Sequence, residues 1–410
     1  MKVCVIDPSL FTLPYDQHLC AGLREAGVDV TLCGRRLRAE ETALPHDYPF
    51  ERRCYPWSER GGVTRTGRAG AWLKAVEHMG MISRLESWLR SRFDVIHFQW
   101  SPMPAVDRWL WRRLARDRTL IFTVHDTTPF LGRPTSRWQQ LGWRRLLDVA
   151  HGLIVHTEES RRELVRLGVP AGRITVIPHG PLRPAPTVLA TTAGAVTEAS
   201  RRTLLVFGEI KPYKGVDVLL RAAARIPGEL ARDWRIIIAG RPRCDLTELH
   251  ALAAASRIPV EWRTGFVPDH EIAPLFTSAD IVVFPYRWVD ASGALMLALP
   301  FGVPVVATRV GVFQEMIEDG VTGLLAAPND EVSLAAALET AMAKPCLREK
   351  IRANLLERVG RLWSWSAIAR AHADCYQRHS LRLPPAPVGA ENEAELAGNC
   401  DHREALPVPR

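Results

Sequence analysis

Apolar residues along this chain fall in short continuous runs separated by stretches with helical spacing. "KVCVID" opens the series at Lys2, a helix is expected from about Tyr15 to Ala26, and "VDVTLCG" from Val28 is a second strand. "DVIHFQW" from Asp94, "LIFTVHD" from Leu120, "GLIVHT" from Gly152 and "ITVIPHG" from Ile174 follow, with room for helices between them. Runs without polar alternation mark strands buried on both faces, and their alternation with helices marks a parallel sheet. Residues 183–202 are rich in Ala, Thr and Pro, lack any period, and read as a linker. A second series then begins: "LLVFG" from Leu204, "RIIIAG" from Arg235, "VEWRTGF" from Val260, "IVVFPY" from Ile281, "PVVAT" from Pro304 and "TGLLAA" from Thr322. The expected fold class is α/β, with two Rossmann-like doubly wound domains, residues 1–182 and 203–365, facing across a cleft. A helix is expected at 366–380, and the Pro- and Glu-rich tail 381–410 is expected to be disordered.

Ligands of open parallel sheets sit at the carboxyl ends of the strands. The polar residues gather there: His97, His125 with Asp126, His156, His179 with Gly180, Gly208, Gly240, Tyr286 and Asp290. Two corners stand out. After the strand that ends at Phe207, the loop carries Lys211, Lys214 and Gly215 directly before a helix, a place suited to an anion. After Tyr286, Asp290-Ala291-Ser292-Gly293 opens the apolar helix "ALMLAL", with Asp290 or Ser292 as its cap. Solvated loop charge and ordinary capping would explain either corner alone. Their convergence on one side of the second sheet suits a diphosphate.

The composition is that of a globular protein: 410 residues, 47% hydrophobic and 24% charged. No run of 18 uncharged apolar residues occurs, and the start lacks a signal-peptide pattern. Eight scattered cysteines form no C-x-x-C pair, so neither a zinc site nor a disulfide framework is expected, and a reducing cytoplasm is the expected setting. The net charge of +8 is mostly Arg, clustered with Trp around residues 108–118 and 137–145. Nucleic acid, an anionic membrane or a phosphorylated substrate would each account for that excess, as would solvated helix faces.

Gly208-x-Ile210-x-x-Tyr213-Lys214-Gly215, "IVVFPY", "GVPVVAT" and "GVTGLLAAPND", in this order, resemble the family 4 retaining glycosyltransferases of the GT-B fold. The resemblance covers nearly all of residues 1–380. It implies transfer of a hexose, with retention, from a UDP- or GDP-linked donor substrate to a glycan, lipid-linked or small-molecule acceptor, as in polysaccharide biosynthesis. It implies no metal and no separate cofactor, and no nucleic-acid partner. By this resemblance Lys214 matches the diphosphate-binding lysine, with Gly208, Lys211, Gly215, Ala291, Ser292 and Gly293 around the donor. Asp290 takes the place of the first glutamate of the family's E-x7-E pair, and Ala298 that of the second. Glu209 stands where the family has arginine, with Lys211 as a substitute charge, and Glu315 is a candidate for reaching ribose or sugar. His125 matches a strand-end histidine that faces the donor sugar; a structural hydrogen bond is the competing reading. For His97 and His156 loop packing is expected, for His179-Gly180 a hinge and cleft wall. The first strand's loop lacks the family's glycine pair, and Asp16 or Gln17 is a candidate acceptor contact.

A nucleotide-sugar epimerase of the same fold and a non-catalytic scaffold are the rival readings. A dinucleotide-binding dehydrogenase is disfavoured because no G-x-G-x-x-G follows the first strand. Between Arg65 and Arg92, Trp72, Val76, Met79, Ile82 and Leu85 form a helical stripe among Arg65, Arg68, Lys74, Arg84, Arg90 and Arg92. An interfacial helix at the inner membrane leaflet and a helix packed on the first sheet both need such a stripe.

Overall fold

The computed structural model describes residues 1–38, 41, 46–60, 67–127, 141–182 and 201–380. The first series of runs forms one sheet of β1 (Lys2–Asp7), β2 (Asp29–Gly34), β3 (Phe50–Glu51), β4 (Val95–Phe98), β5 (Thr119–Thr123), β6 (Gly152–Val155) and β7 (Ile174–Val176). Its order is β3-β2-β1-β4-β5-β6-β7, and every pairing is parallel. The second series forms β8 (Arg202–Phe207), β9 (Trp234–Gly240), β10 (Val260–Thr264), β11 (Ile281–Phe284), β12 (Val305–Thr308) and β13 (Leu324–Ala326). Their order is β10-β9-β8-β11-β12-β13, again all parallel. Strand order therefore reverses between β1 and β4 and between β8 and β11, the places where such sheets open a crevice for a ligand. Only the two-residue β3 carries no apolar run and was not expected from the pattern.

Every strand except the edge strands β3, β7 and β10 feeds two cores, because successive side chains point to opposite faces. In β1, Val3 and Val5 enter one core while Cys4 and Ile6 enter another. In β8, Leu205 and Phe207 join the same core as Val3 and Val5, while Leu204 and Val206 enter a third. The shared core is completed by the last described helix, Trp365–Ser380, which packs on the helix Leu13–Glu25 of the first half. Gly22 makes that approach possible: a Cβ there would lie 2.9 Å from the Trp365 carbonyl oxygen and 3.1 Å from Ala369 Cβ. Tyr376 Oη lies 2.7 Å from His97 Nδ1, and Cys375 Sγ lies 3.6 Å from Thr175 Oγ1. The seven described cysteines are all free thiols.

The stripe on the helix Gly67–Arg92 divides. Ile82, Leu85, Trp88 and Leu89 are buried against the first domain, but Trp72 is 72% exposed and Met79 51%, with Val76 exposed between them. Among the described residues, no helix is long and apolar enough to cross a membrane. Residues 183–200 of the expected linker, residues 137–140 of the second Arg/Trp cluster and the tail 381–410 lie outside the described residues.

Candidate active site

Beyond Phe207 the chain turns at Gly208, whose φ of 103° few other residues adopt. A short 3-10 turn, Pro212–Lys214, leads to Gly215, at φ 65°, and then to the helix Val216–Arg225. Any Cβ at Gly215 would collide with the Pro285 carbonyl oxygen, so glycine is required where this loop crosses the end of β11. Lys214 is 8% exposed, with Nζ 5.2 Å from the centre of the Tyr286 ring. A Cβ on Gly208 would lie 2.9 Å from that Nζ, so the second glycine leaves room for the ammonium. Burial lowers the Lys214 pKa, and among the described residues no carboxylate forms an ion pair with it. Glu209 attracts it only from beyond ion-pair distance, and a buried cation without a contacting anion is costly unless one joins it.

The loop after β11 supplies the other wall. Thr308 Oγ1 donates to the Tyr286 carbonyl at 2.5 Å, and Ser292 Oγ caps the helix Gly293–Ala298 by accepting from Leu295 N–H at 3.3 Å. A Cβ at Gly293 would meet no atom within 4 Å, so that first turn is open to an approaching group. Between the domains lies a cavity of about 400 Å³. Phe11, Thr12, Trp100, His125, Asp126 and His179 line it from the first domain, and Lys211, Tyr213, Trp288, Asp290, Ala291 and Gly293 from the second. Gly208, Lys214, Gly215 and Ser292 are not on its wall.

The structure gives several of the expected site residues a second duty. Asp290 Oδ2 accepts from Thr127 N–H at 2.9 Å and from Thr127 Oγ1 at 2.7 Å, which ties the two domains across the cavity. Glu315 does not face the cavity. Its carboxylate accepts from the backbone N–H groups of Glu158 and Glu159 at 2.8 and 2.9 Å, at the start of the first-domain helix Glu158–Arg166. The favourable helix dipole there accounts for its placement. Lys211 is not a free substitute charge, because its Nζ lies 2.8 Å from Glu209 Oε2.

His125 lies in the cavity wall with both ring nitrogens occupied. Nε2 is 2.8 Å from Gln99 Oε1, and Nδ1 is 3.0 Å from His156 Nε2, whose own Nδ1 is 3.0 Å from the Ile177 carbonyl. Trp100 stacks on the His125 ring at 5.4 Å and Tyr15 meets it edge-on at 5.1 Å. Burial, with neighbouring histidines, holds His125 well below its ordinary value, so the ring is neutral. His97 and His156, expected as loop packing, belong to this buried network; His179 is on the cavity wall, as expected. Burial takes His156 down to about 4 and His179 to about 3.

Asp16 and Gln17 are buried and do not line the cavity. Asp16 pairs with Asp7 under Thr12, whose Oγ1 lies 3.4 Å from an oxygen of each. Burial raises both carboxyls, Asp7 to about 6, so the pair holds a proton near neutrality. Thr12 Oγ1 also accepts from Trp100 Nε1 at 3.1 Å, so the pair fixes the wall without entering it. Thr127, Arg243 and the Tyr213–Trp288 ring pair were not singled out from the sequence. The two rings, 4.8 Å apart, bracket Lys214 and Arg287 in the chain, and aromatic residues flanking a basic loop were the available signal. Among the described residues, no group of three or more His, Cys, Asp or Glu side chains is placed to hold a metal ion.

Two parallel-sheet domains whose switch points face one cleft, with an ammonium and an open helix start on one side of it, define the GT-B class of fold. The chain belongs to the group 1, or family 4, glycosyltransferases. Residues 17–180 match the family described as Glycosyltransferase Family 4, and residues 201–344 the one described as Glycosyl transferases group 1. Among curated relatives, the chain is similar to D-inositol 3-phosphate glycosyltransferase 2 of Catenulispora acidiphila, 33% identical over 262 residues, which span 60% of each chain. It is also similar to D-inositol 3-phosphate glycosyltransferase of Thermobispora bispora, 29% identical over 335 residues, 73% of this chain and 74% of that one. The solved structure of Anabaena HepE in complex with UDP-glucose superposes with a TM-score of 0.65 at 18% identity, covering 92% of this chain and 100% of that one. That likeness establishes the fold.

Proposed function

We propose that the protein transfers a sugar, with retention at the anomeric carbon, from a UDP- or GDP-linked donor to a glycan, lipid-linked or small-molecule acceptor. The observation that carries this reading is Lys214: a buried ammonium without a carboxylate partner, at a helix start on the switch point of the second sheet. The diphosphate of a nucleotide-sugar would supply the missing charge. HepE, of like fold, was solved in complex with UDP-glucose, in keeping with a nucleotide-sugar donor. As the glycosidic bond breaks, negative charge grows on the leaving diphosphate, and Lys214 with the open amides at Gly293 would stabilise it. The Asp290–Thr127 contact would hold the domains together over the reacting groups and exclude water, the competing acceptor. His125, whose ring nitrogens are engaged, would shape the sugar pocket and pass no proton.

The acceptor reading rests on the first domain's surface. Exposed Trp57, Trp72, Val76 and Met79 adjoin a groove of about 470 Å³ whose lining includes Arg52, Arg53 and Arg84. Aromatic and basic residues together suit the headgroup region of an anionic leaflet, and so peripheral attachment on the cytoplasmic side. Titration calorimetry with UDP and GDP tests the donor reading, followed by a mass-spectrometric screen of nucleotide-sugars with and without candidate acceptors. Binding of at least one nucleoside diphosphate is expected. Silence with both would refute the reading, and an epimer formed without acceptor would replace it with the epimerase.

A further inference from the structure

Glu209 directly follows Gly208, in the corner where the donor diphosphate is placed, and its carboxylate is surrounded by cations. Oε2 lies 2.8 Å from Lys211 Nζ. Oε1 lies 2.6 Å from Arg243 Nη2 and 2.7 Å from Arg243 Nε. The Cβ position of the adjacent Gly208 is 2.9 Å from Lys214 Nζ, so the buried ammonium borders the same corner. Arg243 is brought in from 34 residues away by backbone pairing that outlasts the strands. Ile210 N–H donates to the Arg241 carbonyl at 2.9 Å, and Arg243 N–H donates to the Ile210 carbonyl at 2.9 Å. The loops beyond β8 and β9 thus run side by side, with Arg243 opposite Glu209. Burial opposes ionisation of Glu209, but the hydrogen bonds from Lys211 and Arg243 outweigh it and hold the carboxyl below its ordinary value.

We propose that Lys211, Lys214 and Arg243 together form the diphosphate site, and that Glu209 is a resident counter-anion which the incoming diphosphate displaces. This rests on the reading of the second domain as the donor site. The three side chains of the Glu209 cluster are between 37 and 48% exposed, so exchange of one anion for another is open to them. Exposed carboxylate pairs are weak. A diphosphate presents more charge and more acceptor oxygens than one carboxylate, and so wins the exchange. Glu209 then lowers the affinity for anions carrying a single charge, which cannot repay its displacement, and selects for the diphosphate.

The test is calorimetric titration of inorganic pyrophosphate, UDP and GDP into wild type, Glu209→Gln, Arg243→Gln and Arg221→Gln. Arg221 is a control: a cation of the same domain paired with Asp217 and Glu248 rather than with Glu209. All three positions are on the surface, and unchanged thermal midpoints would verify folding. Glu209→Gln should tighten pyrophosphate about threefold to tenfold, Arg243→Gln should weaken it by a similar factor, and Arg221→Gln should do neither. The proposal is overturned if Glu209→Gln binds pyrophosphate no better than wild type, or if Arg243→Gln matches Arg221→Gln. Nucleotide binding that is indifferent to both substitutions would sink this proposal and leave the donor reading standing. Sharpened pyrophosphate binding with UDP and GDP both silent would do the reverse. Silence of every anion with every variant would end both.

Discussion

Replacing Lys214 by methionine should raise stability and weaken nucleotide binding, two effects of opposite sign from one atom. The side chain is 8% exposed, and among the described residues no carboxylate is within ion-pair distance of its ammonium, Glu209 attracting it only from further off. Met keeps the length of the stem and removes the charge. Desolvation of an unpaired polar group costs roughly 1–3 kcal/mol in proteins, so relief of about 1 kcal/mol is a conservative expectation. In a domain of this size that is about 2–4 °C in the thermal midpoint. The lost charge-assisted contact to a diphosphate is worth roughly 1.5–3 kcal/mol, so UDP or GDP affinity should fall about tenfold to a hundredfold. The pH dependence has a definite sign. Burial depresses the folded pKa of Lys214, so in the alkaline window below its ordinary value the unfolded chain binds more protons. Wild-type stability gains from this group as pH rises through that window, and Lys214→Met should lack the gain. Differential scanning calorimetry gives the first number and titration calorimetry the second. A variant that is less stable than wild type and binds nucleoside diphosphate unchanged would refute the reasoning on both counts.

Other outcomes follow from the same geometry. His125→Ala should cut turnover at least tenfold while changing UDP affinity by less than about threefold; a folded variant with intact turnover would make the residue purely structural. Stability should fall from pH 7 to pH 5, because burial holds His156 and His372 at about 4 and His179 at about 3, so the unfolded chain takes up protons first. Each such histidine costs up to about 1.4 kcal/mol per pH unit below 6, partly offset by Asp7 and Asp16, whose raised values act in the opposite direction. Urea unfolding at pH 7, 6 and 5 would measure it, and flat or rising stability would contradict the assignment. Vesicles containing anionic lipid should float the protein at low salt, and Trp72→Asp should reduce that flotation severalfold; equal flotation of the variant would move the contact elsewhere.

The alternation of apolar runs was enough to read both sheets, because strands buried on both faces leave little ambiguity of period. Every expected strand is present, with ends shifted by at most four residues. Lys214 and Gly215 were legible because a strand, a glycine and a helix start enclose them within a few residues. What could not be read is set by contacts distant in sequence. Asp290 meets Thr127 from 163 residues away, Glu315 caps a helix 157 residues earlier, and Arg243 reaches Glu209 only through the pairing of two loops. A carboxylate aimed at a ligand and one capping a distant helix look alike in a sequence. The burial of Asp16 was hidden for a different reason: its partner Asp7 is close in sequence, at the end of β1, and nothing in the pattern marks two carboxyls that share a buried site.

The helix Trp365–Ser380 lays Ile368, Ala369, Cys375 and Tyr376 into the core that β1 begins with Val3 and Val5. During synthesis, the first domain therefore emerges with one face of its sheet covered only in part, by the helix Leu13–Glu25. It waits for almost two hundred more residues, including the entire second sheet, before its cover arrives. The second domain can close its third core, around Leu204 and Trp234, as soon as it has left the ribosome. The half made first is thus completed last, and apolar surface of the nascent first domain, around Tyr15, Leu19 and Leu23 of the helix Leu13–Glu25, stays available to a chaperone throughout that interval.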